Sequence, residues 1–475
     1  MSEEKKSRRR RKRINRELYP VIKFVGSLVM VGILVYLSTF AIRYCLGLFA
    51  DGDYVLSVPG QVTPQEQEQQ PQETIPENTE PTAVMEIGRA NILAAGDLMM
   101  HMPIVRSGKT GDGYTYNYIF SYIQPYASDA HYAVVNLETT LSGTSGKEYT
   151  GYPKFNSPDE VAGGAASGGF DMMLIANNHS NDYGTSGMLR TLETVRAAGL
   201  DTLGVTQTAD EQKYAVKELG GVKVGMINYT FGDIGEDRNR PALNGLPTDK
   251  AASGLVNAFD YDKLDLFYEE MENHISAMRA SGAEAIVLFI HWGDEYTTKV
   301  NEKQTAIAQK MCDMGVDVIA GSHPHVVQTV DLLTSTTDEN HKTVCLYSMG
   351  NFLSNQRSTN ISLTTGQSED SAVFSFSFVK YSNGEVRLDN VRILPTWVLI
   401  RGTGDARTYH ILPLDTQVED WAQAYDLSSS QLEDAKTSYN RTMAIIGIGI
   451  KELESELEAW KTAWQESHNV QVGVG

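Results

Sequence analysis

Five short apolar runs in this chain each end in metal-binding types of side chain, and this pattern limits the possible folds most strongly. The runs 92–95, 132–135, 172–176, 286–290 and 316–320 have the length and composition of buried strands. They are interspersed with helical patterns such as 188–198 and 304–314. Strands that alternate with helices predict a βαβ-type sheet and therefore an α/β fold. Such sheets bind ligands beyond the carboxyl ends of their strands.

The segments that follow these runs supply carboxylate, imidazole and amide groups, which bind hard and borderline divalent metals. These segments are 96–101 (GDLMMH), 136–138 (NLE), 177–179 (NNH), 291–293 (HWG) and 321–325 (GSHPH). His323 and His325 give the strongest local signal, because they flank a proline in a rigid turn where Gly321 permits close backbone approach. Together with His179 and His291, they place four of the ten histidines at strand ends.

Several of these residues have two interpretations when each is taken alone. Asp97 follows its strand directly, so its carboxylate can bind a metal or cap the next helix. Glu138 is either a ligand or a solvated carboxylate at a strand end, and His101 reaches the same site only if the turn is tight. His179 can serve as a proton donor. Asp182 then either orients that imidazole or caps the helix that follows.

The amino-terminal segment predicts a membrane anchor. Residues 1–23 carry ten Lys or Arg against three Glu, and residues 24–42 are uncharged and mostly apolar. That length is close to the roughly 20 residues that cross a bilayer as a helix. A cleaved signal peptide is the alternative, but its apolar core is usually shorter. The basic excess predicts a single-pass plasma-membrane protein with a cytoplasmic amino terminus and an extracellular body.

Composition divides the rest of the chain. The linker 43–88 contains a run rich in Gln, Glu, Pro and Thr, which predicts disorder. The body is predicted at 89–400. It is followed by a helical extension, 401–475, whose main helix is expected to be interrupted at Gly447 and Gly449.

Charge and cysteine content narrow the possible partners and chemistry. The net charge of −20 includes about +7 in residues 1–23, so the rest of the chain carries about −27. This acidity argues against nucleic acid as a partner. An anionic polymer would need a local cationic site such as a metal. Cys312 and Cys345 are expected to be two buried free thiols, with a disulfide as the alternative.

The order and spacing of the motifs over about residues 90–355 resemble the CapA family of capsule-synthesis proteins, also called poly-γ-glutamate synthesis proteins. The matching stretches also include Asp182 with Gly184, Glu295 with Tyr296, and the run 347–352 (YSMGNF). That family is similar to calcineurin-like metallophosphoesterases. The resemblance therefore implies a four-layer α/β/β/α sandwich with a two-metal site between strand ends.

The resemblance also assigns roles to single residues. It implies that the metal ligands are Asp97, Glu138, Asn178, His291, His323 and His325. Glu138 stands where an Asp that bridges two metals is usual, and His179 corresponds to the proton donor. One position departs from the pattern, because Met99 stands where the phosphoesterases have a histidine, and His101 is the candidate replacement. The ligand types suit Mn, Fe or Zn.

Two functions follow from the resemblance. In the first, the body is a metal-dependent hydrolase or transferase that acts on a phosphoester or an amide-linked polymer during capsule or poly-γ-glutamate biosynthesis. In the second, it is a non-catalytic partner in polymer assembly or export, whose metal binds polymer carboxylates. The expected partners are a cell-surface anionic polymer or its precursor and other membrane subunits of a polymer synthesis complex.

Overall fold

The structure is a computed structural model that describes residues 83–146, 148–234, 240–415, 417–418, 420–468 and 470. The predicted cytoplasmic segment 1–23, the predicted membrane span 24–42 and most of the predicted linker lie outside these ranges and stay predictions. None of the helices within these ranges has the combination of length and hydrophobicity that spanning a bilayer requires. The described residues all belong to one compact unit, Thr79–Gly475.

The secondary structure of the described ranges comprises sixteen strands, eight α-helices and four short 3-10 helices. The strands are β1 (Glu86–Leu98), β2 (Tyr132–Leu137), β3 (Met172–Leu174), β4 (Asp201–Leu203), β5 (Tyr214–Leu219), β6 (Val222–Phe231), β7 (Ala242–Leu243), β8 (Leu246–Pro247), β9 (Ala258–Phe259), β10 (Ala285–His291), β11 (Val318–Ser322), β12 (Val330–Thr334), β13 (Lys342–Leu346), β14 (Asp370–Tyr381), β15 (Val386–Arg401) and β16 (Thr408–Pro413). The α-helices are α1 (Met102–Ser107), α2 (Gln124–Asp129), α3 (Glu160–Ser167), α4 (Gly184–Ala197), α5 (Leu264–Ala280), α6 (Glu302–Asp313), α7 (Trp421–Ala424) and α8 (Ser429–His468). The 3-10 helices are Asn117–Phe120, Lys250–Ala252, Gln367–Glu369 and Gly404–Ala406.

Most strands lie in two large sheets. Sheet A has the order β16-β15-β14-β1-β2-β3-β4, and sheet B has the order β12-β13-β11-β10-β6-β5 with β9 beside β6. Strands β1 to β4 are parallel to one another, as are β6, β10, β11 and β13, while the remaining large pairings are antiparallel. The predicted α/β class is confirmed, with mixed sheets.

The two sheets pack face to face, and helices cover their outer faces. Ile92 and Val134 of sheet A contact a core shared with Val287 and Val318 of sheet B. Helices α1 to α4 pack on the outer face of sheet A. Helices α5 and α6 pack on the outer face of sheet B. Because the central strands are buried on both faces, they are apolar along their whole length, as in Ala285–His291.

Both ends of the predicted body differ in detail from the sequence interpretation. Glu86 and Gly88 already pair with β14, so the predicted end of the disordered linker at residue 88 is wrong by three residues. Helix α8 runs without a break through Gly447 and Gly449, and the predicted interruption is also wrong. A Cβ at position 449 would lie 2.5 Å from the Val330 carbonyl oxygen. Glycine there lets α8 pass close to β12 rather than ending the helix.

Two further sequence expectations can be compared with the fold. The region predicted as a helical extension supplies β16 at the edge of sheet A and α8, which packs along β12 and β15. Cys312 and Cys345 are buried and free, as predicted.

Candidate metal centre

The candidate ligands follow the carboxyl ends of parallel strands from both sheets. Asp97 lies near the end of β1, and Glu138 directly follows β2. His291 is the last residue of β10, while His323 and His325 follow β11. Each strand is apolar and buried up to its carboxyl end, so the polar side chains lie together at the edge of the sheets that these ends form.

Potential ligand atoms from these residues converge. Three groups have their donor atoms within 4.8 Å of one another: Asp97–Glu138–His325, Glu138–His291–His323 and Glu295–His323–His325. Every member except Glu295 is buried. Glu138 belongs to the first two groups. One carboxylate therefore lies between two sets of ligands.

Glu138 has the least satisfied side chain of this centre. It is 0% exposed, and neither carboxylate oxygen has a hydrogen-bond partner among the described residues. Its Oε1 lies 3.7 Å from Nε2 of His291 and 3.7 Å from Nε2 of His325. Burial, together with the charge of Asp97, raises the pKa of Glu138 well above its usual value. A buried carboxylate without donors is unfavourable, so these residues fit a bound cation.

The other polar groups hold the ligands in position. Nδ1 of His325 lies 3.1 Å from Oδ2 of Asp97, and Asn136 donates to the other oxygen of that carboxylate at 2.8 Å. Nδ1 of His291 lies 2.9 Å from the Ser322 hydroxyl, and its Nε2 lies 3.1 Å from Oδ1 of Asn178. These contacts turn the imidazoles toward Glu138, as hydrogen bonds behind metal ligands do.

The imidazoles of His291 and His323 carry no charge that would repel a cation. Burial, followed by the neighbouring imidazoles, lowers the pKa of His291 and of His323 well below the usual value. Both rings are therefore neutral at pH 7 and keep a lone pair for a metal. Nδ1 of His323 also lacks a hydrogen-bond partner within the described ranges.

The turn after β11 has a constrained backbone. His323 and His325 have φ angles of 98° and 58°, in the left-handed region that such residues rarely occupy. A Cβ on Gly321 would lie 1.9 Å from the Tyr347 carbonyl oxygen, so only glycine fits there. The amide of His323 donates to Asp97 at 3.3 Å. Strained backbone of this kind clusters at functional sites.

His179 and Asp182 form a pair beside these groups. Nδ1 of His179 lies 2.8 Å from Oδ2 of Asp182, which also accepts the Phe155 amide at 2.7 Å. The Phe155 ring meets the His179 imidazole edge-on, with centroids 4.8 Å apart. Helix α4 has Tyr183 as its N-cap, without a side-chain capping bond. Of the two roles left open for Asp182, the geometry favours orienting His179.

His101 is placed differently from the other candidates. It belongs to none of the three ligand groups found in the described ranges. Its Nδ1 accepts the amide of Asn355 at 3.4 Å, and its ring meets Phe155 edge-on at 5.2 Å. Burial, with smaller effects of His325 and His179, lowers its pKa to about 4. Its role as a ligand stays a prediction.

The sequence interpretation did not assign two residues that the structure places at the centre. The Ser322 hydroxyl contacts the His291 ring. In the motif 321–325, only the two histidines were assigned as ligands. Glu295 shares a group with His323 and His325. Its position four residues after His291, in the loop that follows a strand end, was the available signal.

Comparison with known proteins gives the family. Residues 91–356 match the family described as bacterial capsule synthesis protein PGA_cap, which is more than half of the chain. The chain belongs to this family. The resemblance to CapA proteins predicted from the sequence is thereby confirmed.

Two curated relatives have similar sequences. The chain is 26% identical over 303 residues to the capsule biosynthesis protein CapA of Bacillus anthracis, a match that covers 62% of this chain and 65% of that protein. It is 27% identical over 305 residues to the PGA biosynthesis protein CapA of Bacillus subtilis (strain 168), covering 63% of this chain and 70% of that protein. The match thus spans slightly less than two thirds of the first relative.

Proposed function

We propose that this protein acts in capsule or poly-γ-glutamate biosynthesis and that its strand-end site is a metal-dependent hydrolase centre of the metallophosphoesterase type. The names of the two relatives support the first part, because they place those proteins in capsule and PGA biosynthesis. The order of layers supports the second part, because helices, two sheets and helices follow one another as in the α/β/β/α sandwich that the resemblance implied.

The observation that carries the proposal is the unpaired Glu138 carboxylate between two sets of ligands. Asp97 and His325 would hold one divalent ion with Glu138. His291 and His323 would hold a second with the same carboxylate, and Asn178 lies beside His291. This mixture of oxygen and nitrogen donors suits Mn, Fe or Zn. Such ions polarise a scissile bond and supply hydroxide at neutral pH.

The residues around the ligands suit proton transfer. Asp182 accepts a hydrogen bond from Nδ1 of His179, so the proton for a leaving group would come from Nε2 of the doubly protonated ring, which would return to the neutral form. Phe155 packs against the imidazole and limits its rotation. The substrate class is a phosphoester or an amide-linked anionic polymer.

The proposed location follows from the amino-terminal sequence. A basic cytoplasmic segment and an apolar span at 24–42 would anchor the protein in the plasma membrane with its body outside. The partners would then be the cell-surface polymer or its precursor and other membrane subunits of the synthesis complex. A metal would provide local positive charge on a body whose net charge is negative.

A second function is favoured by one observation. Met99 is buried at the position where the resemblance places a histidine, and His101 contacts the Asn355 amide instead of joining a ligand group in the described ranges. A centre with an incomplete ligand set would suit a non-catalytic partner in polymer assembly or export. Its metal would bind polymer carboxylates without cleaving a bond.

One experiment separates the two functions. His179→Ala should lower hydrolysis of a generic phosphodiester or of poly-γ-glutamate in the presence of Mn by about 10²–10⁴-fold. Metal content should stay unchanged, whereas Asn178→Ala and His291→Ala should reduce both activity and metal content. If His179→Ala leaves hydrolysis and capsule formation intact while the ligand variants abolish capsule, the hydrolase proposal fails and the binding function stands.

A further inference from the structure

Glu295 lies on the solvent side of the metal centre. It is exposed, yet one of its carboxylate oxygens lies within 4.8 Å of donor atoms of His323 and His325. His323 belongs to the group with His291, and His325 belongs to the group with Asp97. The Glu295 carboxylate therefore lies beside one histidine from each of the two groups that share the buried Glu138.

The segment that carries Glu295 is held against the turn after β11. The amide of Trp292 donates to the Ser322 carbonyl at 3.0 Å, and the amide of Tyr296 donates to the Pro324 carbonyl at 2.7 Å. Tyr296 has a φ angle of 61°, and its hydroxyl accepts a hydrogen bond from Gln356 at 2.9 Å. Contacts on both sides of Glu295 thus fix its backbone over the two histidines.

We propose that Glu295 is a further metal ligand, shared by the two metal positions on their solvent side, and that an incoming anion displaces it. This inference rests on the proposed metal centre. A carboxylate oxygen is a suitable ligand for the same divalent ions as its neighbours. Because Glu295 is exposed whereas Glu138 is buried, Glu295 is the carboxylate that can leave without being stranded away from water.

The adjacent residue offers a matched control. Asp294 carries the same charge one position earlier, and it lies outside all three ligand groups of the described ranges. Its Oδ2 accepts a hydrogen bond from Asn301 at 2.8 Å. Asp294→Asn and Glu295→Gln therefore remove the same charge from the same loop, but only the second removes a ligand.

The test is titration of the purified full chain with Mn²⁺ by calorimetry, after removal of metal by a chelator. Loss of a residue that only supports a metal ligand lowers metal affinity by about 10–100-fold. Loss of a ligand itself, in Glu295→Gln, should therefore weaken Mn²⁺ binding at least about tenfold. Asp294→Asn should change it less than about twofold, because exposed charges at longer range are screened. At saturating Mn²⁺, Glu295→Gln should bind inorganic phosphate more tightly than the wild type and Asp294→Asn.

The outcomes are distinct. Equal weakening of Mn²⁺ binding in the two variants would show a general charge effect and overturn the assignment of Glu295 as a ligand. Weaker Mn²⁺ binding without tighter phosphate binding in Glu295→Gln would overturn its displacement by anions. A wild-type protein that binds no Mn²⁺, Zn²⁺ or Fe²⁺ would instead contradict the proposed metal centre itself.

Discussion

Two buried carboxylates in this protein have opposite surroundings. Glu138 is 0% exposed and Asp370 is 2% exposed. Asp370, at the start of β14, accepts hydrogen bonds from Ser438 at 2.6 Å and from two nitrogens of Arg441 at 2.8 and 2.7 Å. Glu138 accepts none from the described residues. Described side chains supply the hydrogen bonds of the Asp370 carboxylate, whereas the Glu138 carboxylate has the surroundings that the proposed cation would complete.

This difference separates a structural role from a functional one. Asp370 connects sheet A to α8, because both of its partners lie on that helix. Removing one member of such a buried pair is costly because the other charge stays buried. Glu138 has no such hydrogen bonds among the described residues, and it lies among potential ligand atoms from four other residues. Burial of a charge is therefore informative only when its partners are known.

The largest effect on stability should come from breaking the structural pair. Arg441→Ala leaves the Asp370 carboxylate buried without its cation. We expect the free energy of unfolding at pH 8 to fall by about 3–5 kcal/mol, measured by urea denaturation. Lys436→Ala is the control on the same helix, because its ammonium pairs with the exposed Glu433 and should contribute less than about 1 kcal/mol.

The cost of Arg441→Ala should also depend on pH. Burial raises the pKa of Asp370 from 3.8 to about 6, although Arg441 and Ser438 act in the opposite direction. The folded state therefore binds more protons than the unfolded state between these pH values, and the stability from this group falls as pH rises through them. Without Arg441 the ionised form of Asp370 is even less favourable in the folded state, so the substitution should cost more stability at pH 8 than at pH 5. An equal cost of the substitution at pH 5 and pH 8 would contradict this account of Asp370.

The next effect should have the opposite sign. Glu138→Gln removes a buried carboxyl group whose oxygens have no hydrogen-bond partner among the described residues, so we expect the metal-free protein to gain about 1–3 kcal/mol in free energy of unfolding at pH 8. Saturating Mn²⁺ should offset or reverse this difference in stability between the variant and the wild type. A ligand at 100 times its Kd stabilises the wild type by about 2.7 kcal/mol, and the variant should lose this gain.

Thermal unfolding with and without Mn²⁺ measures both parts of this prediction. Asp370→Asn serves as the comparison, because it should destabilise the protein under both conditions. Destabilisation of the metal-free protein by Glu138→Gln would mean that Glu138 is a structural carboxylate like Asp370.

The smallest effect concerns the support of a ligand. Ser322→Ala removes the hydroxyl that lies 2.9 Å from Nδ1 of His291. Such partners contribute about 10–100-fold to metal affinity, and we expect a loss near the lower end because Asn136 also lies 3.5 Å from that nitrogen. Calorimetric titration with Mn²⁺ measures this loss. Unchanged affinity would show that the Ser322 hydroxyl is not needed to orient His291.

The strand-end residues could be predicted because each one follows an apolar run in the sequence. Buried parallel strands such as β10 are apolar throughout, so their ends are clear, and parallel strands end at one edge. The sharing of Glu138 between two ligand groups could not be derived this way, because it depends on how two sheets pack. The resemblance supplied that expectation.

Other features depend on contacts between distant residues. The pair of Asp370 and Arg441 joins positions 71 residues apart, with no local pattern to indicate it. Gly449 has low helix propensity, which led to the predicted interruption of the helix. The close contact with β12 leaves no room for a side chain at this position, and the helix continues through it. Helix α5 was not assigned although its buried residues Phe267, Met271, Ile275 and Met278 have helical spacing. The sequence therefore contained the signal for this helix, and it was overlooked.

The metal content of the purified full chain tests the central claim most directly. We expect elemental analysis to find Mn, Fe or Zn in the wild type. His323→Ala/His325→Ala should lose that metal and keep a native circular dichroism spectrum, because these side chains lie at the sheet edge and outside the main apolar clusters. Equal metal content in the wild type and the double variant would contradict the assignment of this site.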